Sequence, residues 1–186
     1  MPYIIGVGCT PFKKQIDQSF RDLSKTAITQ CLSDSQSNAK PEIVYFGNCA
    51  MHAFGQANIR GQTALWPLMQ EEIIPTRTPI VNVEAGCATG SVAFHSALQA
   101  LHQHDFSMAV GVEKLIFEND PKLLKSFPLF GDGIDKNHSE EWMSFYRSQS
   151  QKHNLSFQPH PYRVIFIDIH AMQAQHSLLK GSCTKE

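Results

Sequence analysis

The sequence predicts an α/β fold built from parallel βαβ units, on three observations. Short apolar runs recur at 3–9, 43–46, 80–83 and 106–112, helical spacing fills the stretches between them, and glycine, proline or asparagine punctuates the joins. Strands that alternate with helices pair in parallel, because each helix carries the chain back to the end of the sheet from which it left. The crossovers are expected to be right-handed.

The elements follow in order. Tyr3 to Cys9 reads as a buried opening strand that stops at Thr10-Pro11. Over 19–34, Phe20, Leu23, Ala27, Cys31 and Leu32 fall on one helical face, with Ser19 as the candidate N-cap. A polar connection at 33–41 leads to a second strand, Ile43 to Phe46, which Gly47-Asn48 ends. After a glycine-punctuated loop, a helix over 61–72 carries Ala64, Leu65 and Leu68, and Pro75 and Pro79 follow it. Ile80 to Val83 is the third strand. Glu84-Ala85-Gly86 then turns into a helix over 87–104 with a stripe of mostly small residues: Ala88, Val92, Ala93, Ala97, Ala100 and Leu101. Small side chains allow close approach, so this helix is expected to be deeply buried. Phe106 to Val112 is the fourth strand.

The pattern breaks at about 116. Prolines at 121, 128, 159 and 161 and the turn Gly131-Asp132-Gly133 interrupt it, and one short helix is expected over 139–153 with Trp142, Phe145 and Tyr146 as its apolar face. This stretch far exceeds the ~2–6 residues usual for connections in α/β units. From Val164, helical spacing returns through Ile165, Ile169, Met172 and Leu179 and ends at Gly181. The expected organisation is an α/β core at 1–115, an irregular loop subdomain at 116–163 and a returning helix of the core at 164–186.

Composition excludes several classes of function. Apolar residues make up 42% of the 186-residue chain, charged residues 18%, and the net charge is −1, so no field of one sign favours nucleic acid or an anionic membrane. No apolar run approaches the ~20 residues of a membrane helix, and the N-terminus lacks the pattern of a secretion signal. Five cysteines without a Cys-x-x-Cys pair fit reduced thiols. A cytoplasmic location is expected. His102 and His104, at i,i+2 spacing near a helix end, suit the helix dipole better than a metal, and no metal site is expected.

The segment richest in chemistry is Asn82-Val83-Glu84-Ala85-Gly86-Cys87-Ala88-Thr89-Gly90-Ser91, which sets a cysteine at a strand-to-helix turn. Unpaired N–H groups and the dipole at a helix N-terminus favour a thiolate. The same groups can receive the oxyanion of a thioester under attack, which makes Cys87 the candidate catalytic nucleophile. Glu84 opposes the thiolate if its carboxylate faces the sulfur. The competing reading is an inert, buried cysteine in an alanine-rich helix.

Several segments together resemble the thiolase family. Residues 82–91 are similar to its nucleophile segment, most closely in the sterol-carrier-protein-associated branch. Gly47-Asn48-Cys49-Ala50-Met51-His52-Ala53-Phe54-Gly55-Gln56-Ala57-Asn58-Ile59-Arg60-Gly61-Gln62 resembles the loop before the next family helix, and Val110-Gly111-Val112-Glu113-Lys114-Leu115 resembles its Gly-x-Glu-Lys segment. The opening Ile4 to Phe12 and the late Asp168-Ile169-His170-Ala171-Met172 fit the same branch. The resemblance implies the N-terminal half of a thiolase-like layered fold with a mostly parallel sheet. It implies acyl transfer from acyl-coenzyme A through a Cys87 thioester, with no metal or redox cofactor. In that family the chain is about twice as long, and its second half brings a Gly-His-Pro histidine and a Cys-x-Gly cysteine; neither motif occurs here.

Full turnover by this polypeptide alone is therefore not expected. A homo-oligomer, or a second chain that supplies the missing half, is. The alternatives are a non-catalytic acyl-coenzyme A or lipid-binding protein, and a truncated remnant. His52 is the one residue that could substitute as a base, although a bond to backbone is the simpler role for a loop histidine. Arg60 is expected to tie the loop to the core, and Glu113 to accept backbone hydrogen bonds at a strand end.

Overall fold

The computed structural model describes residues 1–114, 134–160 and 165–182. The turn expected at Gly131-Asp132-Gly133 lies outside them. The chain divides into two compact units, 1–119 and 120–186.

In the first unit the elements are α1 (Phe20–Asp34), β1 (Ile43–Gly47), α2 (Arg60–Gln70), β2 (Ile80–Val83), α3 (Thr89–Ala100) and β3 (Ser107–Gly111). The three strands form one parallel sheet in the order β2-β1-β3, with Gly47 opposite Val83 on one side and Gly111 on the other. The α/β class and its parallel pairing follow the expectation from sequence.

Val44 and Phe46 are both fully buried and face α1 and α2, where Ile28, Leu65 and Leu68 complete the core. The opposite face receives α3: a Cβ on Gly47 would lie 3.1 Å from Thr89 Cγ2 and 3.6 Å from Ala93 Cβ. Only Thr89, Ala93 and Ala97 of α3 are buried, while Val92 and Phe94 are exposed. The deep burial expected of this helix is thus a one-sided burial, since among the described residues the sheet covers only its small-residue face.

Local chemistry explains the helix ends. Ser19 caps α1 in a reciprocal box, with its Oγ accepting from the Asp22 N–H at 3.2 Å while the Ser19 N–H donates to Asp22 Oδ2 at 2.8 Å. The Ser19 hydroxyl bond, more than any other contact, holds the Asp22 carboxyl below its usual range. Pro67 sits inside α2 and cannot donate to the Thr63 carbonyl four residues back. Arg21 Nε, at 3.1 Å, donates to that carbonyl instead.

The apolar run at 3–9 is the main departure from expectation. It forms no strand; it runs extended along α1, with the Val7 N–H on Asp34 Oδ2 at 2.9 Å and the Cys9 N–H on Gln30 Oε1 at 3.2 Å. Gly6 and Gly8 permit the approach, because a Cβ at either would fall 2.3 Å from the Cys31 carbonyl oxygen or 2.1 Å from that of Ala27. Ile4 and Val7 stay exposed. An apolar run reports a tendency to be covered; the partner that covers it is a tertiary matter.

Gly61 opens a comparable approach between α2 and the sheet. A Cβ there would meet Ile80 Cγ2 at 2.6 Å and Phe46 Cβ at 2.7 Å. Gly61→Ala is therefore expected to destabilise the unit by about 1–3 kcal/mol through overpacking. Thermal melting of the variant beside wild type checks this, and an unchanged midpoint would refute it.

In the second unit, α4 (Ser139–His153) and α5 (Ile165–Leu179) pack together. Trp142, Phe145 and Tyr146 form the expected apolar face, and the Tyr146 ring meets that of Phe157 with centroids 5.8 Å apart. Asn154 in the left-handed region ends α4, and Gly181, also left-handed, follows α5.

Candidate active site

Parallel strands gather chemistry at their carboxyl ends, where the following loops meet. In this sheet those ends deliver Asn48 and Cys49 after β1, Glu84 to Cys87 after β2, and Glu113 and Lys114 after β3.

Cys87 lies exposed on a 3-10 turn, Gly86–Ala88, that joins β2 to α3. The helix begins two residues later than the sequence suggested. Gly86 has φ +54°, a left-handed conformation that glycine adopts without strain, and nothing would crowd a Cβ there. Thr89 locks the turn: its Oγ1 accepts from the Ala85 N–H at 2.9 Å and donates to the Gly86 carbonyl at 2.7 Å.

Glu84 turns its carboxylate to the Gly86 amide and to Cys49. Its Oε1 accepts from the Gly86 N–H at 2.6 Å and from the Cys49 thiol at 3.7 Å. The Gly86 amide on the Cys87 turn is therefore already taken up by Glu84.

The loop after β1 is fixed by polar side chains. Asn48, 1% exposed, donates from Nδ2 to the Val112 carbonyl at 2.7 Å and accepts the Met51 N–H on Oδ1 at 2.9 Å. Arg60 donates to the Asn48 carbonyl at 2.7 Å. Glu113 accepts from the N–H groups of Cys49 and Ala50. Burial pushes the Glu113 carboxyl above its usual range, and those two N–H groups partly offset the shift. Arg60 and Glu113 thus hold the places expected of them. His52 Nδ1 is engaged with the Cys49 carbonyl at 2.9 Å, the backbone role anticipated for it. Lys114 Nζ reaches back to the carbonyls of Ile16 at 2.8 Å and Gln18 at 2.5 Å, which pins the approach to α1. His104, four residues past α3, pairs with Glu42 at 3.2 Å. Among the described residues no cluster of three metal-ligating side chains occurs.

Sequence reasoning did not bring Cys49 to the site. The available signal was its place two residues past a strand neighbouring the Cys87 strand. Its thiol is pushed up, first by burial and then by Glu84 and Glu113. Alkylation of Cys49 should accordingly rise with pH later than that of an ordinary thiol. Glu84→Gln removes one of the two negative charges and should move that rise to lower pH, without removing the larger effect of burial. Site-resolved iodoacetamide rates across pH measure both. Identical Cys49 profiles in the two proteins would contradict the assignment.

This parallel α/β sheet, with an exposed cysteine on the turn before α3, can be set beside known sequences. The family model for the thiolase N-terminal domain matches residues 3–126. The chain belongs to the thiolase family. It is 32% identical over 121 residues to an acetyl-CoA acetyltransferase of Methanothermobacter thermautotrophicus, a match covering 63% of this chain and 30% of that protein. It is 30% identical over 118 residues to sterol carrier protein 2 of Bos taurus and to that of Homo sapiens, covering 61% of this chain and 20% of each relative. The matched segment thus spans less than a third of the length of these relatives.

Proposed function

We propose that the chain carries the nucleophile half of a thiolase-type acyl-coenzyme A acyltransferase, with Cys87 as the residue that accepts the acyl group. The observation that carries this reading is the exposed Cys87 on the turn between β2 and α3. The Cys87 thiol gives its proton to solvent and its sulfur attacks the thioester carbonyl; the bond to the coenzyme A sulfur breaks, and coenzyme A leaves as a thiolate that takes a proton from solvent. The family relationship supports acyl-coenzyme A as the substrate class and leaves acyl length open. No group in the first unit is assigned as the acid or base of a full cycle. The reaction as read here needs no metal or redox cofactor, and the place proposed for it is the cytoplasm.

The same reading includes assembly with a second copy or another chain. Val81 of β2 and Val92 and Phe94 of α3 are 40%, 39% and 51% exposed, an apolar surface of the kind that partners cover. Light scattering at micromolar concentration is expected to give a mass above that of one chain; a compact monomer that melts cooperatively would refute it. The function itself is tested by intact-mass measurement after exposure to acetyl-coenzyme A, with Cys87→Ala as the control. An unmodified wild type would overturn it.

A further inference from the structure

Cys49 and Cys87 leave the carboxyl ends of neighbouring strands, and β1 and β2 stay in register up to Gly47 opposite Val83. The pairing continues one step further, where the Asn48 N–H donates to the Val83 carbonyl at 3.2 Å. Carried on, that register sets Cys49 opposite Ala85, two residues before Cys87 on its turn. Beyond the strands the two loops remain in contact. A single oxygen, Glu84 Oε1, touches both the Cys49 sulfur and the amide of Gly86, the residue directly before Cys87. The backbone around Cys49 is held by Glu113, Arg60 and His52, whereas Cys87 stands exposed beside a glycine with φ +54°. Cys49 is thus fixed through its backbone, and the Cys87 side chain is open to solvent on its turn.

We propose that Cys49 is a resolving thiol, which closes a reversible disulfide onto Cys87 when Cys87 is oxidised by a peroxide. In the first step the Cys87 thiolate attacks one oxygen of hydrogen peroxide, the O–O bond breaks, and Cys87 becomes a sulfenic acid with release of hydroxide. In the second step the Cys49 sulfur attacks the Cys87 sulfur. The Cys49 proton passes to Glu84 Oε1, which already accepts it, and then to the departing hydroxyl, which leaves as water. The disulfide blocks the residue proposed to accept acyl groups and keeps it from irreversible oxidation. A dithiol returns both cysteines to the reduced state. The inference rests on Cys87 being the reactive thiol of the proposed function and extends that reading to regulation of the site.

The test uses the full 186-residue chain in a Cys31→Ser background, because Cys31 and Cys49 share one tryptic peptide, 26–60, while Cys87 lies on 78–114. The chain is reduced, treated with hydrogen peroxide, blocked with N-ethylmaleimide and digested without reductant. The expected product is peptide 26–60 joined to 78–114 with the loss of two hydrogen atoms, and dithiothreitol should separate it. Cys87 should lose its reaction with iodoacetamide and regain it on reduction. With Cys49→Ser added, Cys87 should instead proceed to sulfinic acid, which dithiothreitol does not reverse. The proposal is overturned if Cys87 reaches sulfinic acid while Cys49 remains alkylatable. It is equally overturned if Cys87 pairs with Cys9, Cys183 or another chain, or stays reduced. Acetyl-coenzyme A loading is measured on the same preparation. A disulfide without acyl loading removes the proposed function and leaves this inference standing; acyl loading without a disulfide does the reverse.

Discussion

Exposure of the purified chain to acetyl-coenzyme A is expected to add one acetyl group, on Cys87, and to stop there. Loading needs a nucleophile and a place for the developing oxyanion. The turn before α3 offers the exposed thiol and backbone amides, although Glu84 occupies the Gly86 amide. Turnover further needs proton transfer to the leaving thiolate and deprotonation of the incoming nucleophile, worth about 10²–10⁴-fold for each positioned acid or base. His52 Nδ1 is engaged with the Cys49 carbonyl, and the Cys49 thiol is pushed towards its protonated form. With acetoacetyl-coenzyme A plus coenzyme A, followed spectroscopically, no multiple turnover should appear. Cys87→Ala should lose the adduct altogether. Repeated turnover by wild type that vanishes in Cys87→Ala would show that the acid and base chemistry is supplied within these 186 residues after all.

Asn48→Leu should be the most damaging single change at the site. The side chain is buried, joins the end of β1 to the exit of β3 through Val112, and orders the loop through the Met51 N–H. Leucine matches its bulk but satisfies neither partner, and each buried group left unpaired costs about 1–3 kcal/mol, so a loss of roughly 2–5 kcal/mol is expected. Asn48→Asp should fall between, because a carboxylate still accepts the Met51 N–H but cannot donate to Val112. Urea unfolding of the three proteins gives the order. Cys87 alkylation, followed alongside, should change least of all, since Asn48 acts on the Cys49 loop and Thr89 fixes the Cys87 turn. Equal stability of wild type and Asn48→Leu would show that the brace is dispensable.

The sequence alone determined those features that neighbouring residues decide among themselves. The Ser19 cap, the strands at 43–47, 80–83 and 107–111, the helix over 139–153 and the placing of Cys87 on a turn all rest on periodicity and punctuation within a few residues. Tertiary structure decided what depends on distant partners. The run at 3–9 has the composition of a strand, yet glycines 6 and 8 fit the backbone of α1, and no local pattern records which surface an apolar segment will meet. Cys49 and Glu84 are 35 residues apart, and only the parallel register of β1 with β2 brings the thiol to the carboxylate beside the Cys87 turn. Hydrogen bonding across a sheet sets that register, and its energy is realised only once the intervening helix α2 has packed and returned the chain.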